Sequence, residues 1–143
     1  MSYMLPLLEY CAPVWASACV GHLRLLDSVV RGASFLCGGV LTLDLWHRRT
    51  IGDLCMLFRA YADSTHPLHS LLPPAHVPAR VTRRVVQLHS RVLEEVRCRT
   101  EQWSRSFVPR TVKAWNRLPG EVFEDFSIKN FKSKANAFLL CNF

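Results

Sequence analysis

Leu45 to Tyr61 reads LWHRRTIGDLCMLFRAY, and the way this string must fold sets the class of the whole chain. Its apolar residues do not alternate as they would in a half-exposed strand. Leu54, Cys55, Met56, Leu57 and Phe58 run without a break, so a helix here is apolar on several faces and belongs at the centre of a core. Asp44 stands just before it, where a carboxylate caps the free N–H groups of a first helical turn. Upstream, Leu23, Leu26, Val30 and Ala33 recur at spacings of three and four. They predict an amphipathic helix that ends near Gly38-Gly39. The segment Tyr3 to Ala18 predicts a further helix, kinked or ended by Pro13.

Downstream, residues 64–80 carry Pro67, Pro73, Pro74 and Pro78 and read as a rigid connector between two segments, 1–63 and 81–143. Beyond it, Val85, Val86, Leu88, Val92, Leu93 and Val96 are rich in β-branched residues. A short β-hairpin around residues 85–105 and a helix are both compatible with that pattern. Phe107 to Leu118 predicts a short helix, with Pro109 in its first turn and Pro119-Gly120 after its end. Ser127 precedes a last amphipathic helix carrying Ile128, Phe131, Ala135, Phe138 and Leu139. The expected fold is therefore mainly α, a small domain of four to five helices with room for one hairpin.

The chain has 143 residues, the length of one domain, and its mean hydropathy of +0.10 is high for that size. Its six cysteines, Cys11, Cys19, Cys37, Cys55, Cys98 and Cys141, include no C-x-x-C pair, which argues against structural zinc. The opening MSYMLPLLEYCAPVW lacks a basic leader, and Glu9 interrupts its apolar run. The most lipid-like stretch, Gly32 to Leu43, is only 12 residues, against roughly 18 to 20 for a membrane span. An intracellular, reduced protein without a membrane role is the expectation. His66, His69 and His76 form the nearest approach to a ligand cluster, but the prolines around them explain the segment as a connector. No metal or other cofactor is expected.

Local signals for catalysis are weak. Tyr61-Ala62-Asp63-Ser64 resembles the Tyr-x-Asp-Asp turn of polymerases that copy RNA, whose two-metal chemistry needs two carboxylates. Here the second position is serine, and the string follows a helix. Gly38-Gly39 lacks the Gly-Lys-Ser/Thr of a phosphate loop. Cys37 and Cys55 sit in apolar surroundings suited to packing.

Charge carries the stronger signal. The net charge is +7, and all of it lies in residues 72–143, because residues 1–71 balance. Arg80, Arg83, Arg84, Arg91, Arg97, Arg99, Arg105, Arg110, Lys113 and Arg117 face only Glu94, Glu95 and Glu101 between positions 80 and 117. Guanidinium groups bind phosphates in bidentate fashion and stack on bases. Trp103, Phe107 and Trp115 are interleaved with them, so the composition suits RNA or DNA, with Trp103 or Trp115 stacking on a base. The competing reading makes these aromatics core residues and the arginines a solvated rim. Arg48 and Arg49 are open to either use, a role in the core helix or a phosphate contact.

Taken in order, LEYCAPVW (8–15), HLRLLDSVVR (22–31), LWHRRTIGDLCMLFRAY (45–61), HPLHSLLP (66–73), CRTEQWSRSFVPRTVKAWNRLPGEVF (98–123) and FKSKANAFLL (131–140) cover most of the chain. This succession resembles the C-terminal part of reverse transcriptases encoded by non-LTR retrotransposons of the jockey-like and RTE-like kind, downstream of their catalytic palm. The resemblance implies thumb helices followed by a basic region, in a family whose full protein carries an endonuclease and a polymerase. Met1 falls within what would be the first thumb helix. The palm, with its paired aspartates, is then expected to be missing and the chain to be no enzyme. A thumb normally packs one face on the palm, so residues 3–36 are expected to expose an apolar patch and the chain to self-associate.

These readings converge on a catalytically inactive polymerase fragment that binds RNA or DNA through its basic second half. The alternatives are a helical module that docks a protein through its apolar N-terminal helices, and a relic of a truncated element without function. A nuclear site of action follows only from the resemblance, since no run of residues is basic enough for a clear import signal.

Overall fold

The computed structural model describes residues 4–36, 38, 45–77, 89–125 and 127–142. Among them are seven α-helices: α1 (Met4–Glu9), α2 (Ala12–Trp15), α3 (Val20–Leu36), α4 (Leu45–Ala62), α5 (Glu101–Arg105), α6 (Phe107–Trp115) and α7 (Ile128–Asn142). Single 3-10 turns form at His69–Leu71 and Gly120–Phe123. The chain is mainly helical, as its periodicities predict. The count exceeds four to five because one expected helix, over residues 3–18, is divided and α5 forms within the segment compatible with either a hairpin or a helix.

The division lies between α1 and α2. The ring of a proline clashes with the carbonyl four residues before it, and four before Pro13 is Glu9, where α1 ends. Cys11 then takes a left-handed conformation, φ 52°, and Pro13 sits in the first turn of α2. The additional helix, α5, is set off from α6 by a break at Ser106. Thr100 caps α5 by accepting a hydrogen bond from the Trp103 N–H, and Ser106 is extended, with ψ 162°, before α6 restarts the helix. Asp44, the cap expected for α4, lies outside the described residues.

α4 is the central element. Ile51, Leu54, Leu57 and Phe58 are buried in one cluster with Val112 and Trp115 of α6 and Phe131, Ala135 and Leu139 of α7. The continuous apolar run of α4 is thus used on two sides, against α6 and against α7. Phe58 stacks on Phe131 with ring centroids 4.3 Å apart. Trp115 lies among Phe123 at 4.6 Å, Tyr61 at 5.6 Å and Phe131 at 5.8 Å.

No hairpin forms in residues 89–105; residues 85–88 lie outside the described part. Val92 and Leu93 are indeed extended and buried, but they pair with the connector through an isolated antiparallel bridge between Ala75 and Leu93. The His76 N–H donates to Val92 O at 2.8 Å and the Glu94 N–H to Pro74 O at 2.9 Å. Tertiary contacts override the local pattern here. Asn116, next to the buried Trp115, takes the other edge of the segment: its Oδ1 accepts from the Leu93 N–H at 3.0 Å and its Nδ2 donates to Leu93 O at 2.8 Å. An asparagine side chain thereby replaces a second strand.

The Pro-rich connector is tied down by the same logic. The His69 Nδ1–H donates to Ala60 O at 2.8 Å, which satisfies a carbonyl in the last turn of α4. Asp63 Oδ1 accepts from the Thr65 N–H and hydroxyl at 2.8 and 2.7 Å. Tyr61 and Asp63 therefore close a helix, and the likeness to a polymerase turn is confined to the letters.

Replacing Asn116 with Ala leaves both polar groups of the buried Leu93 backbone without partners. The expected loss is about 2 kcal/mol in urea unfolding, with faster hydrogen exchange at the Leu93 amide than at α4 or α7 amides. Unchanged stability and exchange would show that the clamp does not hold this segment.

Candidate nucleic-acid interface

The structure sorts the basic stretch into groups that sequence adjacency hides. Arg80, Arg83 and Arg84 lie outside the described residues. Trp115 is fully buried, and its Nε1–H donates to Arg91 O at 2.8 Å. It is a core residue and offers no stacking face, which corrects one of the two stacking candidates. Phe107 packs against the same core. Trp103 keeps the expected character, being half-exposed on α5.

Three arginines are committed to structure. Arg91 is partly buried, with its guanidinium 5.9 Å from the centroid of the Phe123 ring. Arg105 pairs with Glu101 one turn away. Arg110 reaches across to α4, where its Nη2–H donates to Asp53 Oδ2 at 2.8 Å and its Nε–H to the same oxygen at 3.2 Å. Asp53 is buried, and desolvation pushes its carboxyl above the ordinary aspartate range. The positive charge and hydrogen bonds of Arg110 offset this only in part.

Arg97, Arg99, Lys113 and Arg117 remain exposed, with no ion pair among the described residues. Arg97 and Arg99 precede α5. Lys113 stands in the last turn of α6 and Arg117 just beyond its end, four residues on. Both border a cleft of about 470 Å³ between α4, α6 and α7, whose walls include Trp46, Ala114 and Phe138. Trp46, 46% exposed, lines the same cleft. Sequence reasoning passed over it, although it is the second residue of the helix that was read first.

Arg48 and Arg49 both have structural partners. Arg48 forms a bidentate pair with Glu9 of α1, which raises its pKa. Arg49 is buried 3.3 Å from Asp27 of α3 and lies over the Trp15 ring at 5.0 Å. Sequence reasoning also left out Arg59, Lys129 and Lys132, which border a groove of about 640 Å³ between α4 and α7. The available signal was the recurrence of Arg48, Gly52, Cys55 and Arg59 at spacings of three and four, one stripe of α4.

His89 is buried within the core. Its Nδ1 accepts from the Arg91 N–H at 3.2 Å, so Nε2 carries the proton and donates to Trp115 O at 3.2 Å. Burial lowers its pKa and favours this neutral form. Among the described residues no group of three His, Cys, Asp or Glu side chains is placed to hold a metal ion, and no helix is long and apolar enough to cross a membrane. No protein-family model, curated protein or solved structure matches the chain.

The Asp53–Arg110 pair generates a pH-dependent prediction. With its folded pKa raised, Asp53 favours the native state most at low pH, and this contribution is lost as pH rises through the folded value. Arg110→Met removes the offset and leaves a buried carboxylate uncompensated at neutral pH. The expected loss at pH 7 is about 3 kcal/mol, the low end for a broken buried pair because Arg110 is partly exposed. The loss should shrink as the pH is lowered and Asp53 protonates; denaturant midpoints that fall equally at neutral and acidic pH would refute this account.

Proposed function

We propose that this chain is a thumb-like segment of the kind found in non-LTR retrotransposon reverse transcriptases and that it binds RNA or DNA through the exposed cations of residues 97–117. The observation that carries the reading is the cleft that Lys113, Arg117 and the partly exposed Trp46 line together. Cations without protein partners keep their full charge for phosphates, and an indole beside them suits a base. Arg97 and Arg99, with Trp103 a few residues on, supply the same two kinds of contact. Arg91, Arg105 and Arg110 contribute to the fold, so fewer groups bear on binding than the sequence offered. The action is intracellular, in keeping with the free thiols of Cys11, Cys19, Cys55, Cys98 and Cys141.

Binding is tested by fluorescence anisotropy of a labelled structured RNA at several salt concentrations. The wild-type chain should bind with an affinity that falls with salt. Alanine at Arg97, Arg99, Lys113 and Arg117 should flatten the log–log slope by about 0.7 to 0.9 per phosphate contact removed. An equal slope in the variant, or no binding by the folded chain, would overturn the proposal.

A second reading has its own observation. Leu7, Tyr10, Val14, Leu25, Phe35 and Leu36 of the first three helices and their junction are each more than half exposed, up to 85%. Such apolar surface favours association with a protein. Light scattering at tens of micromolar should show self-association that persists in high salt, since burial of apolar surface is not screened as charge is. A sharp monomer peak would dismiss it.

A further inference from the structure

A second concentration of cations lies on the opposite side of α4 from the Lys113–Arg117 cleft. Trp46, Thr50 and Asp53 face that cleft, whereas Arg48, Gly52, Cys55 and Arg59 line the groove shared with α7. At about 100° per residue these two sets fall on opposing stripes of one helix. The far wall of the groove comes from Lys129, Lys132 and Ser133 of α7.

The charge balance of the groove is one-sided. Among the described residues that line it Glu9 is the only acid, and Glu9 is engaged by Arg48. Arg59, Lys129 and Lys132 are exposed and have no acceptor among the described residues. Two of them, Arg59 of α4 and Lys132 of α7, line the groove together with Cys55. Burial pushes the half-buried Cys55 thiol upward in pKa, and the positive charges of Lys132 and Arg59 both act against that rise. Gly52 keeps the α4 wall low, because a Cβ there would meet nothing within 4 Å. At about 640 Å³ the groove is far larger than one phosphate needs. An arginine fork and two lysine point charges along such a trough match successive phosphates.

We propose that the α4–α7 groove is a phosphate track in which Arg59, Lys129 and Lys132 hold neighbouring phosphates of a nucleic-acid strand, on a face separate from the Lys113–Arg117 cleft. The nucleic-acid source of those phosphates rests on the function proposed above, whereas the affinity of the groove for phosphate groups does not. Cys55 reports on occupancy without taking part. A bound phosphate blocks access to the thiol and cancels the charges that favour its thiolate, and both effects slow alkylation.

The test uses the full chain, N-ethylmaleimide and peptide mass spectrometry, with the exposed Cys11, Cys19 and Cys141 as internal references. A single-stranded RNA oligonucleotide should slow alkylation of Cys55 several-fold and leave the references unchanged. The triple variant Arg59→Gln, Lys129→Gln, Lys132→Gln should abolish that protection and reduce the RNA salt slope by about 2. The charge-conserving variant Lys129→Arg, Lys132→Arg should keep both. RNA that binds by anisotropy yet leaves Cys55 unprotected, with the slope unchanged in the triple variant, overturns the track and leaves the proposed function standing. If RNA does not bind at all, that function fails. Inorganic tripolyphosphate then decides: protection of Cys55 that the triple variant loses upholds a phosphate site with a soluble source, and no protection overturns the groove as well.

Discussion

The fold depends on how Trp115 is buried. An indole cannot enter a core at low cost unless its N–H finds an acceptor, and the acceptor here is the Arg91 carbonyl. That single bond fixes residues 89–93 against the end of α6. His89 then closes on the Trp115 carbonyl, Asn116 clamps Leu93 from one side, and the connector pairs with it from the other. A ring that buries roughly 150 to 250 Å² contributes about 4 to 6 kcal/mol at 25 cal/mol per Å², a large share of a small domain's stability. The string Trp-Asn-x-Leu-Pro is thereby accounted for residue by residue. Trp115 fills the core, Asn116 stands in for a strand, Leu118 is buried, and Pro119 precedes the turn that carries Phe123.

α4 solves a complementary problem. A helix that is apolar on several faces can dock its neighbours in many rotations, since hydrophobic burial has no direction. Three buried polar residues remove that freedom, each addressed to a different helix. His47 meets Asn136 of α7 at 2.7 Å, Arg49 meets Asp27 of α3, and Asp53 meets Arg110 of α6. Any rotation that separates one pair breaks a buried hydrogen bond or, for Arg49 and Asp27, draws a buried charge away from its counter-ion, at a cost of about 1 to 3 kcal/mol or more. Apolar contact thus supplies the stabilisation of the core, and these pairs select its arrangement.

The sequence made α4, α6 and α7 legible because their apolar spacing is strong and local: Leu54, Leu57 and Phe58, Val112 with Trp115, and Phe131, Ala135 and Leu139 are all buried where the periodicity puts them. The basic stretch was legible only as a composition. Whether an arginine is available depends on a partner that the local string does not contain. Asp53, 57 residues from Arg110, engages that arginine in an ion pair, and the fold turns Trp115 inward. The α4–α7 groove was hidden for the same reason, since Arg59 and Lys132 are unremarkable alone and meet only after two helices pack. The β-branched run misled because it reports a tendency to extend and says nothing about which edge the extended segment will find.

The same separation explains how a modest net charge becomes a strongly cationic surface. Five ion pairs among the described residues engage Glu9, Asp27, Asp53, Glu101 and Glu124, and three of these tie α1, α3 and α6 to α4. Acids spent in this way hold the fold together and no longer screen the remaining cations at a distance. Two groups of the cations left without an ion pair among the described residues fall on either side of α4: Lys113 and Arg117 at one cleft, and Arg59, Lys129 and Lys132 at the other. Their separation by a helix about 10 Å across keeps the two groups roughly one Debye length apart at physiological salt. The field of each group is therefore local, and one helix, held in place by its buried polar pairs, sets the spacing between them.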